Sequence, residues 1–234
     1  MTVASTAPAP AYLEDLRRQQ VTLNRSSTAE RVAAVLREQV TDGRLLPGER
    51  LAEDGIAAAL RVSRNTLREA FRLLAHERLL FHELNRGVFV RVLTVDDVID
   101  LYRTRRLIEA AVLDELDEPP VLDDLATAVC DGELAAAEQR WSDVGTANMH
   151  FHQRLVALGG SQRLAEVMRG LLAELRLVFA VMAANPQTFH EPYLSRNREL
   201  LELLQAGRHH DAATALRRYL LDAERQLVQA YRHQ

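Results

Sequence analysis

Lysine is absent from this chain: all 29 basic residues are arginine. That bias reads as the base composition of the coding genome rather than a binding device, although arginine also suits phosphate and guanine recognition. Cysteine is nearly absent as well. Cys130 stands alone, so the chain can close no internal disulfide. No apolar run approaches the roughly 20 residues that a membrane-spanning helix needs. The N-terminus also lacks the charged start and apolar core of a secretion signal. Together these absences imply a cytoplasmic location. Equally missing are a glycine-rich phosphate loop, a nucleophile with a base at motif spacing and a complete metal-ligand set, so an enzyme is not expected. No self-similarity at 20 to 50 residues suggests a solenoid. What is present is 234 residues, 47% apolar and 26% charged, a globular profile long enough for two domains.

Charge is spread unevenly. Residues 27 to 92 carry 11 Arg against 9 Asp and Glu, a net of +2, whereas residues 93 to 234 carry 15 against 22, a net of −7. A nucleic-acid partner therefore belongs to the first part. The bulk imbalance is modest, and the argument rests on where Arg64, Arg68, Arg86 and Arg91 cluster.

Residues 50 to 91 read as a winged helix-turn-helix. Thr28 to Asp42 forms an amphipathic helix with Val32, Val35, Leu36 and Val40 on one side, ended by Gly43. Leu46-Pro47-Gly48-Glu49-Arg50-Leu51 is a turn into a very short strand, and Ala52 to Leu60 is a small helix. The next helix starts at Ser63, whose hydroxyl is placed to cap free backbone N–H groups. Its apolar residues Leu67, Ala70, Phe71 and Leu74 repeat along one side, leaving Arg64, Asn65 and Arg68 on a polar face in the first turns. A recognition helix needs that division, because its N-terminal residues approach base edges while its apolar stripe holds it to a scaffold. Arg64 and Arg68 can each donate a bidentate pair to guanine O6 and N7; Asn65 and Thr66 suit adenine, the thymine methyl or phosphate. Downstream, two β-prone runs flank Leu84-Asn85-Arg86-Gly87, a hairpin signal that puts Arg86 at the wing tip.

This order resembles the GntR family of bacterial transcription regulators over residues 28 to 92. The carrying residues are Gly43, Pro47-Gly48, Leu51, Val62-Ser63-Arg64, Arg68-Glu69-Ala70, Leu73-Leu74 and Asn85-Arg86-Gly87-Val88-Phe89-Val90. The resemblance implies DNA contact at Ser63, Arg64, Asn65, Thr66, Arg68, Arg86 and Gly87. Two departures stand out. The turn before the recognition helix usually carries Gly but here carries Arg61, which predicts positive-φ strain. Some members place an Arg where this chain has Asp54, whose negative charge cannot hold a phosphate. Residues 1 to 27 read as a leader, a Pro- and Ala-bearing tail followed by a short helix over Tyr12 to Gln20, with no assigned role.

From residue 94 to 232 the pattern is wholly helical. Segments over Val95 to Leu116, Val121 to Arg140, Val144 to Leu158, Ser161 to Ala184, Tyr193 to Ala206 and His209 to Tyr231 predict six antiparallel helices in a bundle. The fold class is thus mainly α, a winged helix-turn-helix followed by an all-α bundle. The bundle resembles the FCD ligand-sensing domain of the FadR subfamily, on Asp100-Leu101-Tyr102, Arg105, Leu107-Ile108-Glu109, Asn148-Met149-His150-Phe151-His152, Asn197-Arg198-Glu199-Leu200-Leu201, Gly207 and Arg218-Tyr219-Leu220. Many members hold a divalent metal with an Asp and three His. Here those positions fall on Asn148, His152, Asn197 and Tyr219, so His152 alone is retained and no metal cofactor is expected.

What remains is a polar constellation of Arg105, Asn148, His152, Asn197 and Tyr219 on converging helices. It either forms an internal network or receives a ligand. The resemblance favours a ligand, with Arg105 facing its anion; a bridge to Glu109 one turn away is the other reading of Arg105. The expectation is a homodimeric repressor that reads a pseudo-palindromic operator and answers to a small carboxylate, phosphate or acyl conjugate. The alternative is an architectural protein whose polar core binds no effector.

Overall fold

The computed structural model describes residues 27–41, 43–116, 120–179, 182 and 185–232. The leader up to residue 26, with the helix expected over residues 12 to 20, and the end of the helix drawn to Ala184 lie outside the described residues.

The first helix, α1 (Thr28–Thr41), opens on a reciprocal cap: Glu30 N–H donates to Ser27 Oγ at 3.1 Å, and Ser27 N–H donates to Glu30 Oε2 at 2.6 Å. Its inward face is Ala29, Val32, Ala33, Leu36 and Val40. Val35, expected on that face, is 40% exposed, while Ala29 and Ala33 are buried in its place. Helix α2 (Glu53–Leu60) ends at Arg61, whose φ of 52° and ψ of 44° put it in the left-handed region anticipated for that turn. Helix α3 (Arg64–His76) buries Leu67, Ala70, Phe71 and Leu74. Strands β1 (Leu80–Glu83) and β2 (Gly87–Val90) pair antiparallel with Leu80 opposite Val90 and Glu83 opposite Gly87. Asn85 at φ 61° and Gly87 at φ 111° make the turn between them. The short strand expected near Leu51 appears as a single bridge, Arg50 opposite Phe89, braced by Leu51 N–H donating to the Val88 carbonyl at 2.9 Å. Together these elements form a winged helix-turn-helix.

The remainder is a bundle of α4 (Val95–Asp114), α5 (Asp123–Ala137), α6 (Trp141–Ala157), α7 (Gln162–Phe179), α8 (Pro186–Gln205) and α9 (His209–Arg232). Thr94 and Asp97 form a capping box that starts α4. Helices α4 and α9 lie antiparallel: the start of α9 reaches the end of α4 through His209 to the Leu116 carbonyl (2.8 Å), while Glu224 pairs with Arg106 further back. Helix α8 begins seven residues before the expected Tyr193, because Asn185 caps it and Pro186 suits the first turn. Pro192 lies inside it; the Thr188 carbonyl that its missing N–H would have served accepts from Gln226 Nε2 at 3.4 Å instead.

One apolar core runs through both parts, and α1 packs against α7. Arg91, just past β2, pairs with Asp97 in the first turn of α4 at 2.6 Å.

Candidate nucleic-acid interface and bundle core

The N-terminus of α3 is built around Ser63, which sits in extended backbone (φ −68°, ψ 152°) so that its Oγ accepts from Thr66 N–H at 3.1 Å. The Thr66 hydroxyl lies 2.8 Å from the same Oγ, so both hydroxyls serve the cap first. Arg64, Asn65 and Arg68 are exposed beyond it. Arg64 Nε lies 3.0 Å from Asp54 Oδ1, and Arg68 Nε donates to Glu53 Oε2 at 3.1 Å. A surface groove of about 510 Å3 is lined by Arg50, Glu53, Asp54, Arg64, Arg68 and Gly87, so the recognition helix and the wing turn share one concavity. Arg86 stands at the exposed wing tip, pairs with Glu83 and lies 5.8 Å from the Phe89 ring centre.

Two corrections follow for the basic cluster. Arg91 turns toward Asp97 at the junction with the bundle, away from Arg64 and Arg68. Arg50 joins instead: its Nε would lie 3.3 Å from a Cβ added at Gly87, whose φ of 111° is a backbone conformation that side chains rarely adopt. No periodicity marks a lone Arg in a Pro-Gly-Glu-Arg turn, and sequence reasoning passed over it.

In the bundle, the five residues singled out from the sequence do converge. Arg105 Nε–H donates to Glu109 Oε1 at 2.7 Å, and Glu109 Oε2 lies 2.6 Å from His152 Nδ1. His152 Nε2 lies 3.1 Å from the Tyr219 hydroxyl, which donates to Asn148 Oδ1 at 2.8 Å; Asn197 Nδ2 donates to the same oxygen at 2.8 Å. Arg105 therefore has its anion inside the protein. Glu109 is the member of this network whose role the sequence left open, and its i, i+4 spacing from Arg105 was the signal.

Burial opposes the charge on Glu109, but Arg105 and His152 outweigh it and hold its carboxyl below the usual range. Burial, with Arg105 nearby, lowers the His152 pKa. Burial also holds the Tyr219 phenol neutral. A neutral His152 with its Nδ1 proton toward Glu109 presents Nε2 as an acceptor, so the single Tyr219 proton has two acceptors to serve.

These donors do not fit a divalent metal. Both His152 nitrogens are engaged, Asn148 Oδ1 already accepts two hydrogen bonds, Asn197 turns an N–H donor toward it, and Tyr219 is neutral. Among the described residues no group of three His, Cys, Asp or Glu is close enough to hold an ion.

Three buried polar atoms near this core have no hydrogen-bond partner among the described residues, Arg105 Nη2, Asn197 Oδ1 and His190 Nδ1, although the Arg105 guanidinium lies over the Tyr102 ring at 5.0 Å. A cavity of about 10 Å3, roughly the room one water needs, is lined by Asn148, His190, Tyr193 and Asn197 among others. His190 enters no sequence-based site because the helix expected there starts only at Tyr193. Burial, with Arg176 nearby, lowers its pKa to about 4. Its ring fills the space beside Gly145, where an added Cβ would lie 2.9 Å from it.

Residues 28–90 match the family model for bacterial regulatory proteins of the gntR family, and residues 100–222 match that of the FCD domain. Similar proteins include the Nta operon transcriptional regulator of Aminobacter aminovorans, 31% identical over 63% of this chain and 71% of that protein. The gluconate operon transcriptional repressor of Bacillus subtilis (strain 168) is 30% identical over 57% of this chain and 56% of its own length. A crystal structure of a GntR protein from Rhodococcus sp. RHA1 is 46% identical, covers 88% of this chain and 100% of that one, and superposes with a TM-score of 0.84.

Proposed function

The chain belongs to the GntR family of bacterial regulatory proteins, with an FCD domain as its C-terminal part, and is a transcription regulator; on that footing we propose that it is a repressor binding a pseudo-palindromic operator as a homodimer. The proposed contacts are Arg64, Asn65 and Arg68 to base edges, Ser63 and Thr66 at the helix start to phosphate, and Arg86 and Gly87 of the wing to the neighbouring backbone or minor groove. The observation that carries this reading is the exposure of Arg64 and Arg68 on a capped helix start that shares one groove with the wing turn. Homodimerisation follows from DNA geometry, since one recognition helix reads too few bases to select a genomic site. The site of action is the cytoplasm, where the DNA is; among the described residues no helix is long and apolar enough to cross a membrane.

Fluorescence anisotropy on DNA from immediately upstream of the gene, with excess competitor, tests the reading. Arg64→Ala is expected to weaken binding by roughly 1 to 3 kcal/mol at one base position per half-site. Equal affinity of mutant and wild type would overturn the contact.

For the bundle, effector sensing is supported by the three unpartnered polar atoms around Arg105, Asn197 and His190. An anionic effector would compete with Glu109 for Arg105 and would bias the arrangement of the two recognition helices only through its differential affinity for the two arrangements. A second reading, a closed polar core that binds no effector, is favoured by the cavity of about 10 Å3. A thermal-shift panel of carboxylates, phosphates and acyl conjugates separates them, since a true effector raises Tm by mass action.

A further inference from the structure

We propose that Asp54 and Glu53, in the first turn of α2, are positioning residues that set DNA specificity by holding Arg64 and Arg68 through Nε and cancelling their pull toward phosphate. The proposal rests on the DNA-reading role of those arginines argued above.

The geometry is paired. Two adjacent carboxylates on α2 reach two arginines one turn apart on α3, at 3.0 Å for Asp54 to Arg64 and 3.1 Å for Glu53 to Arg68. Both pairs cross between the two helices of the motif and both line the groove shared with the wing. They are surface features: Arg64 and Asp54 are 67% and 73% exposed, Arg68 is 60% exposed, and Glu53 at 25% is the most sheltered. Exposed pairs of this kind contribute little to stability, so the fold itself does not require them.

Chemistry says what they do. Arg68 donates its Nε–H to Glu53 and Arg64 lies in an ion pair with Asp54 at the same edge; a guanidinium engaged there leaves its Nη pair as a planar fork, the geometry that matches guanine O6 and N7. The carboxylate also biases the orientation of a side chain that would otherwise sample many rotamers. A neutral base edge meets that fork without penalty. A phosphate meets a carboxylate immediately behind each arginine, and the four side chains sum to no net charge. The result is a face that gains little from the sequence-independent phosphate attraction and keeps its base-directed hydrogen bonds.

The test compares wild type, Asp54→Asn and Glu53→Gln on two probes: a duplex enriched by the wild-type protein from a randomised pool, and a scrambled duplex of the same composition. Affinities are measured across a salt series. Asp54→Asn is expected to tighten scrambled-duplex binding about 3- to 10-fold at low salt, to steepen the salt dependence by about 1, and to lower the selected-to-scrambled ratio at least about 5-fold. Glu53→Gln should act in the same direction, with base preference relaxed at the pair read by Arg68. Thermal unfolding should be unchanged in both. Equal shifts on the two probes, or no shift, would overturn the proposal and leave only bulk charge. A wild-type protein that enriches no sequence, or Arg64→Ala binding the selected duplex as tightly as wild type, would instead overturn the underlying DNA-reading role and this proposal with it.

Discussion

Glu109 faces two nitrogen bases from inside the bundle, Arg105 at 2.7 Å and His152 at 2.6 Å, with no exposed surface of its own. Glu109→Gln would leave the Arg105 cation buried without a counter-charge, at a cost of about 3 to 5 kcal/mol, readable as a shift in urea midpoint. Adding Arg105→Met should recover most of that loss, because the Gln oxygen can still accept from His152 and no buried charge remains. A cost below about 1 kcal/mol for the single change would mean the pair is not ionic in the core. Arg105→Ala alone is a poor probe of effector response, since it strands Glu109. His190 adds a pH dependence. Its pKa falls on folding from 6.5 to about 4, so below 6.5 the unfolded chain binds a proton that the folded chain refuses, and stability drops as pH falls toward 4. That amounts to on the order of 3 kcal/mol across the window. His190→Phe should lose at least about 1 kcal/mol less than wild type between pH 7 and 4.5; an identical loss would assign the acid sensitivity elsewhere. Glu109, with its pKa lowered by folding, acts in the same sense at lower pH.

At the scale of elements, the turn between α2 and α3 sets how the recognition helix is presented. Arg61 holds φ 52° there, where a Cβ is unfavourable, and its N–H and that of Val62 close the end of α2 on the carbonyls of Ala58 and Ala57. Arg61→Gly removes the Cβ penalty and should stabilise the protein by roughly 0.5 to 1 kcal/mol in chemical denaturation, with DNA affinity retained. Destabilisation would show that the Arg61 side chain supplies more than the glycine would relieve. Helix α8 carries the companion lesson. Its first two turns follow from a cap at Asn185 and a bridged Thr188 carbonyl, and they bring His190 into the core.

For the whole molecule, the continuity of packing matters. A single apolar core joins the winged domain to the bundle, α1 rests on α7, and Arg91 ties the end of the wing to Asp97 in α4. Glu174 of α7 lies in the same junction; burial raises its pKa, while Arg78 and Arg91 act against the rise and Asp97 and Asp100 add to it. Calorimetry should therefore give one cooperative unfolding transition rather than two. Two resolved transitions would mean that the halves unfold independently and that α4 transmits little between them.

Much of this protein follows from local pattern. The apolar spacing along α3, the Ser63 cap, the Asn85 to Gly87 turn and the breaks between helices are short-range signals, and they placed the winged motif, the bundle and the strain at Arg61. The convergence of Arg105, Asn148, His152, Asn197 and Tyr219 was legible too, through resemblance to a fold that brings those helices together. Which partner each side chain takes was not. That Glu109 satisfies Arg105, that Arg91 serves the domain junction, that Arg50 joins the groove and that acids on α2 hold Arg64 and Arg68 all depend on residues distant in sequence or on which of several rotamers wins. Periodicity fixes the face a residue occupies; only packing against other elements decides what it meets there.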